Sequence, residues 1–213
     1  MSQKHVDEIV KILLKTQKVS MLGSFSKKDP FYILISTVLS QRNRDDQTIK
    51  VAKRLLSRYK TPEQLAKAPQ KTVERLIKQS GFFKVKAARI KEISRILLEK
   101  YQGKVPKDYD KLLALPGVGR KTAGCVLVYA FDKPALPVDT HVNRISNRLG
   151  WVKTKTPEKT EEALMKLIPK RLWVHINEVL VIHGQHICNP ITPKCSICPV
   201  KKYCKRVGVS KSK

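Results

Sequence analysis

LPGVGRKTA, Leu115 to Ala123, sets Gly117 and Gly119 in a tight turn between the apolar stretch Leu112 to Leu115 and a helix that starts near Arg120. Without side chains on the two glycines, the backbone N–H groups of such a turn can come close to an anion. The N-terminus of the following helix adds favourable partial charge without sequence preference. Outward from this turn the pattern stays helical. Ile90, Ile93 and Leu97 lead to Gly103, and Val73, Leu76 and Ile77 lead to Gly81, each glycine standing where a helix would stop. Thr61-Pro62-Glu63-Gln64 reads as a capping box. Asp29-Pro30 reads as an N-cap and first-turn pair that opens the apolar run Phe31 to Leu39, long enough to favour a buried helix over a strand. Nearer the N-terminus, Val6, Ile9, Val10, Leu13 and Leu14 share one helical stripe. No convincing period-two alternation occurs, and Leu136-Pro137-Val138 is too short to form a sheet. The expected fold class is all-α.

The 213 residues, 41% of them hydrophobic, suffice for one large domain or two small ones. Lys and Arg number 44 against 17 Asp and Glu, a formal charge of +27. Such an excess repels itself unless a polyanion is the partner, so nucleic acid is the first expectation. An anionic membrane would attract the same charge, but no stretch approaches the roughly 18 apolar residues of a span. The opening MSQKHVDEIVKILLK spaces charges through its apolar residues, unlike a secretory signal. The expectation is an intracellular, cytoplasmic and nucleoid-associated protein with no membrane partner. Beside this charge the glycine turn reads as the hairpin of a helix-hairpin-helix element; a bare GxG would be an ordinary helix connection. The C-terminal VGVSKSK is polar and basic enough to fray as a solvated tail.

Lys121 is placed one turn into the helix after the hairpin, and alone it would be another phosphate-touching lysine. Asp139 changes that reading. In PVDTHVNRISNRL, Val142, Ile145 and Leu149 mark a helix with Asp139 at its N-cap. A carboxylate held there stays ionised, and it could stabilise positive charge developing on a sugar or help a nearby amine lose its proton. Four of the five cysteines form C-x6-C-x2-C-x5-C through Cys188, Cys195, Cys198 and Cys204. In a chain without an export signal, metal ligation accounts for them better than disulfides. Zinc and iron-sulfur are near even on spacing alone, since only one C-x2-C knuckle is present. Cys125, on the apolar helix after the hairpin, reads as a small core residue.

LPGVGRKTA, VDTHVNR and the C-x6-C-x2-C-x5-C spacing, in this order, resemble the endonuclease III family. Weaker similarity runs from Pro30-Phe31 through LSQRNRDD and the GFFKVKA segment, Gly81 to Ala87, and so covers nearly the whole chain. The resemblance implies two helical domains with a DNA-binding cleft between them. One is a six-helix barrel carrying the helix-hairpin-helix, near residues 23–133. The other joins residues 1–22 to 134–213 and bears the cluster. It implies Lys121 as the amine nucleophile, Asp139 as its carboxylate partner across the cleft, and the four cysteines as ligands of a 4Fe-4S cluster. Gly117, Gly119 and Arg120 would meet DNA. A residue after the LS pair would wedge into the space left by a flipped base; here the position falls on Arg42, where glutamine is common, with Gln41 beside it. Phe82 matches a second, apolar wedge, although a Phe after a helix-stopping glycine is more often core.

The function so implied is base-excision repair of double-stranded DNA holding a damaged base or abasic site, by a monomer. The damaged nucleotide, an oxidised pyrimidine as the resemblance suggests, is flipped out. Lys121, its proton affinity lowered by neighbouring cations and partial burial, expels the base, and β-elimination through the Schiff base nicks the strand. The cluster would hold a loop and basic residues such as Lys194, Lys201 and Lys202 against DNA. Two rivals stand beside this reading. A monofunctional mismatch glycosylase would use water in place of the amine, and a non-enzymatic helix-hairpin-helix module would need neither Lys121 nor Asp139.

Overall fold

A computed structural model of the protein describes residues 3–16, 20–25 and 29–213. Met1, Ser2 and the segments 17–19 and 26–28 fall inside the expected domain spans and lie outside the described residues. All regular structure among the described residues is helical, and 136–138 carries no strand. The chain divides into two compact units, Ser24–Asp132 and a discontinuous unit that joins Met1–Gly23 to Lys133–Lys213. No helix among the described residues is long and apolar enough to cross a membrane.

Helix α1 (Gln3–Thr16) belongs to the discontinuous unit. Its stripe of Val6, Ile9, Val10 and Leu13 is fully buried, whereas Leu14 lies at the edge of that stripe and stays 44% exposed. Each buried side chain of this size contributes roughly 1.5–3 kcal/mol, more than intrinsic propensity supplies, so packing holds the helix.

The continuous unit begins its regular core with α2 (Pro30–Ser40), where Asp29 Oδ1 accepts from the N–H of Phe31 at 2.8 Å and of Tyr32 at 3.4 Å. After the cap, Phe31, Ile33, Leu34, Ile35, Val38 and Leu39 are all buried. There follow α3 (Asp45–Arg58), α4 (Pro62–Lys67), α5 (Gln70–Leu76), α6 (Phe83–Tyr101), α7 (Tyr109–Leu113) and α8 (Arg120–Phe131). Helix α2 packs on α3, α6 and α8, and α8 is buried from Thr122 to Tyr129, so these two apolar helices form the centre of the unit. At α4, Thr61 caps Gln64 N–H at 3.4 Å, but the Gln64 side chain returns to the N–H of Lys60, not of Thr61, at 2.7 Å. Helix α5 ends at Leu76, five residues before the expected stop at Gly81, and a turn fills the interval. Helix α6 ends as expected: Gly103 takes φ +74°, its N–H reaches Leu97 O at 2.8 Å, and a Cβ there would sit 2.9 Å from the Glu63 carboxylate.

The discontinuous unit adds α9 (Thr140–Leu149), α10 (Pro157–Leu167) and α11 (Trp173–His186) to α1. Leu136 and Val138 enter its core with Val142, Ile145, Leu149, Leu164, Ile176 and Leu180, and Asn177 holds the intervening chain by donating to Pro137 O at 3.0 Å. The C-terminal segment does not fray as expected. Val207 N–H donates to Arg148 O (3.1 Å), Lys213 N–H donates to Pro193 O (2.9 Å), and Lys213 O accepts from Ser196 N–H (2.9 Å). Backbone hydrogen bonds thus hold a segment whose side chains are mostly exposed.

Candidate nucleic-acid interface and cysteine site

The hairpin lies between α7 and α8, anchored by the buried Leu115 and Val118. Its two glycines differ in kind. Gly117 takes φ +75°, which an L side chain rarely adopts, and the turn requires it. Gly119 is the N-cap of α8 in ordinary extended backbone, and a Cβ added there meets nothing within 4 Å. The fold does not need glycine at that position. The open face it leaves, over the N-terminus of α8, suits the close approach of an external anion. We therefore expect Gly119→Ala to keep the melting temperature and to weaken binding of undamaged duplex by about tenfold, the cost of roughly 1.4 kcal/mol. Unchanged affinity in a filter-binding titration would remove Gly119 from the interface. Lys121 is the second residue of α8, within its first turn and half-buried, instead of one turn in as expected, because capping begins at Gly119.

Two further turns of the same unit meet beside one another. After α2, the Gln41 side-chain amide donates to Gly117 O (2.8 Å) and to Thr122 Oγ1 (3.3 Å), so it braces the hairpin. Arg42 takes φ +51° and is exposed. Before α6, Phe82, the second wedge position, takes φ +58° and is 62% exposed, unlike the core residue that a Phe after a glycine more often is, and the Arg42 guanidinium stands 5.5 Å from the centre of its ring. Positive φ in non-glycine residues costs on the order of 1–3 kcal/mol, and such strain gathers at functional sites. Gln41 and Arg42, adjacent in sequence, thus do separate work: one side chain turns to the hairpin and the other outward.

In the discontinuous unit Asp139 is the N-cap of α9, its Oδ1 accepting from His141 N–H (2.8 Å) and Val142 N–H (2.9 Å). Both cap bonds use one oxygen, which leaves Oδ2 outside the cap. Farther along α9, Arg144 donates to Cys188 O and Gly184 O (2.9 and 3.1 Å). Arg148, one turn on, donates to Cys188 Sγ (3.4 Å), to Asn189 O (2.6 Å) and to Pro190 O. Neither arginine was singled out from the sequence, although their i,i+4 spacing in VDTHVNRISNRL put both on one face.

Cys188, Cys195, Cys198 and Cys204 form no disulfide and line one cavity, walled by Ile145, Leu149, Val200 and Val209. Cys204 Sγ accepts from Arg206 N–H (3.4 Å), and Cys198 Sγ lies 3.6 Å from Nε2 of the buried His183. Burial pushes the Cys198 thiol up to about 11 and raises Cys204 as well. Four sulfurs in one apolar lining, with N–H donors aimed at them, fit a cationic centre that would hold them as thiolates. No group of three or more His, Cys, Asp or Glu among the described residues is already drawn together to hold a metal ion. Cys125 is buried in α8, away from these four in sequence and in the other unit, as its core reading requires. Lys194, Lys201 and Lys202 around the cysteines are exposed.

A glycine hairpin open to an anion, in an all-helical chain of this charge, marks a helix-hairpin-helix protein, and the model of the HhH-GPD superfamily base excision DNA repair proteins matches residues 35–170. Among relatives, endonuclease III of Thermotoga maritima is 60% identical over 176 residues, covering 83% of each chain. Endonuclease III of Bacillus subtilis is 38% identical over 178 residues, covering 83% of this chain and 81% of its own. A trapped endonuclease III–DNA covalent intermediate superposes with TM-score 0.84 at 34% identity, covering 97% of both chains. A thermostable thymine-DNA glycosylase superposes with TM-score 0.83 at 27% identity over 95% of this chain and 96% of its own. The chain belongs to the endonuclease III family, the DNA glycosylases of base excision repair within that superfamily.

Proposed function

We propose that the protein removes damaged bases, chiefly oxidised pyrimidines, from double-stranded DNA as a monomer and then nicks the strand, with Lys121 as the nucleophile. The observation that carries this is the half-buried lysine in the first turn of the helix that follows the hairpin. A hairpin that only binds phosphate needs its glycines and charge, not an amine at that place. The Lys121 amine attacks the anomeric carbon of the flipped nucleotide, the bond to the base breaks, and the base leaves with the electron pair. Loss of a proton from the nitrogen and opening of the sugar ring give the imine. The imine acidifies the neighbouring sugar carbon, whose deprotonation expels the 3′ phosphate. Asp139, through the oxygen outside its cap, stabilises the positive charge that develops on the sugar. That a relative of this fold was trapped as a covalent intermediate with DNA supports the amine route over a water route.

Gly117, Gly119 and Arg120 hold the phosphate backbone, and Arg42 and Phe82 fill the stack beside the flipped base. The four cysteines would hold a 4Fe-4S cluster, which would supply a rigid crosslink for the loop and no step of the reaction. The test is a panel of duplexes, each with a single lesion, scored separately for base release and for strand nicking. We expect both products from oxidised pyrimidines and nicking alone from abasic sites. Release without nicking from a T·G mismatch would favour the water-using reading, and neither product from any duplex would favour a binding module.

A further inference from the structure

Lys86, in the first turn of α6, is only 3% exposed. Its ammonium donates to Leu39 O and to Ser80 Oγ, each at 2.8 Å, and both acceptors are neutral. Burial pulls it down to about 8. A lysine held this way is costly to keep, and an apolar residue would fill the same space without the desolvation penalty. Its two acceptors say what it does. Leu39 O is among the last carbonyls of α2, unsatisfied within the helix, and two residues later come Gln41 and the left-handed Arg42. Ser80 lies two residues before the left-handed Phe82 and itself leans on Leu39 O at 3.4 Å. Between them, a Cβ on Gly81 would stand 3.2 Å from Arg42 O, so the two turns run against each other just beyond the ammonium.

We propose that Lys86 is a positioning residue for lesion recognition: its buried ammonium ties the end of α2 to the turn before α6 and so holds Arg42 and Phe82 in their outward conformations. This rests on the reading of Arg42 and Phe82 as the residues that enter the base stack. It adds a residue that touches no DNA and acts through them. Without the ammonium, the carbonyl of Leu39 and the hydroxyl of Ser80 lose their common donor, and the two left-handed turns relax toward commoner backbone.

The experiment compares affinity for a duplex carrying one tetrahydrofuran abasic analogue with affinity for the undamaged duplex, in wild type, Lys86→Met, Arg42→Ala and the double variant, alongside thermal melts. We expect Lys86→Met to lower the preference for the analogue about tenfold with undamaged-duplex binding within about twofold. We expect the double variant to lose clearly less than the sum of the two single losses, since Lys86 acts in part through Arg42. A role in stability alone would move the melt and both affinities together. Full preference in Lys86→Met, or losses that add in the double variant, overturns the proposal. Should Lys86→Met not fold, Ser80→Ala removes one of the two acceptors and must reduce the preference in the same direction; if it does not, the proposal falls. Absence of any preference in wild type overturns the underlying lesion-recognition reading together with this one, whereas an effect missing only in the variants overturns Lys86 alone.

Discussion

Lys121→Gln is expected to abolish strand nicking and borohydride trapping of the protein on abasic DNA while leaving most of the affinity for that DNA intact. The side chain keeps its length and polarity, the hairpin and Arg120 remain to hold phosphate, and only the nucleophile is gone. Reduction of the imine yields a permanent protein–DNA adduct, so the assay reads a covalent bond, and the expected change is from a strong band to none. Trapping at the wild-type level would place the imine on another amine and overturn the site. Asp139→Asn in the same assay separates charge from fold. Asparagine caps a helix about as well as aspartate, so the melt should hold while the rate falls, by an amount that reports stabilisation of developing charge.

The second large effect concerns iron. Protein purified without oxygen should carry about four iron atoms per chain and be yellow-brown, with the colour lost in Cys198→Ala. Cys198 is half-buried, burial raises its thiol to about 11, and its removal leaves a lining of three sulfurs. Because the cavity packs on the core of Ile145, Leu149 and Val200, loss of the centre should also lower the melting temperature of the discontinuous unit. Stoichiometric zinc in place of iron would turn the site into a zinc knuckle.

What was legible in the sequence and what was not divides along the range of the interactions. Asp29, Thr61 and Asp139 each cap through an N–H two or three residues on, so the local pattern contains both partners. The hairpin is legible for the same reason. Lys86 is not, since its acceptor at Leu39 lies 47 residues away and it is one lysine among many in a basic chain. Arg148 likewise depends on oxygens 41 and 42 residues along. The C-terminal segment read as a solvated tail because its composition is polar, but its backbone bonds to Arg148, Pro193 and Ser196 leave no compositional trace. Phe82 stands between wedge and core in the sequence, since an aromatic residue after a glycine serves either, and it is the left-handed backbone that turns it outward.

The discontinuous unit imposes an order on how the chain is made. Helix α1 is synthesised before α11, on which it packs, and α11 leaves the ribosome only after the whole of Ser24–Asp132 has been translated. The continuous unit has all its partners within one stretch and can fold during synthesis, whereas Val6, Ile9, Val10 and Leu13 must wait with their apolar stripe uncovered. Closing that long loop is slow in entropic terms but adds little to its thermodynamic cost, because the penalty grows only with the logarithm of length. Until then the stripe on α1 is apolar surface open to wrong contacts, and Lys4, Asp7, Glu8 and Lys11, spaced along the same helix, are charges of the kind that oppose them.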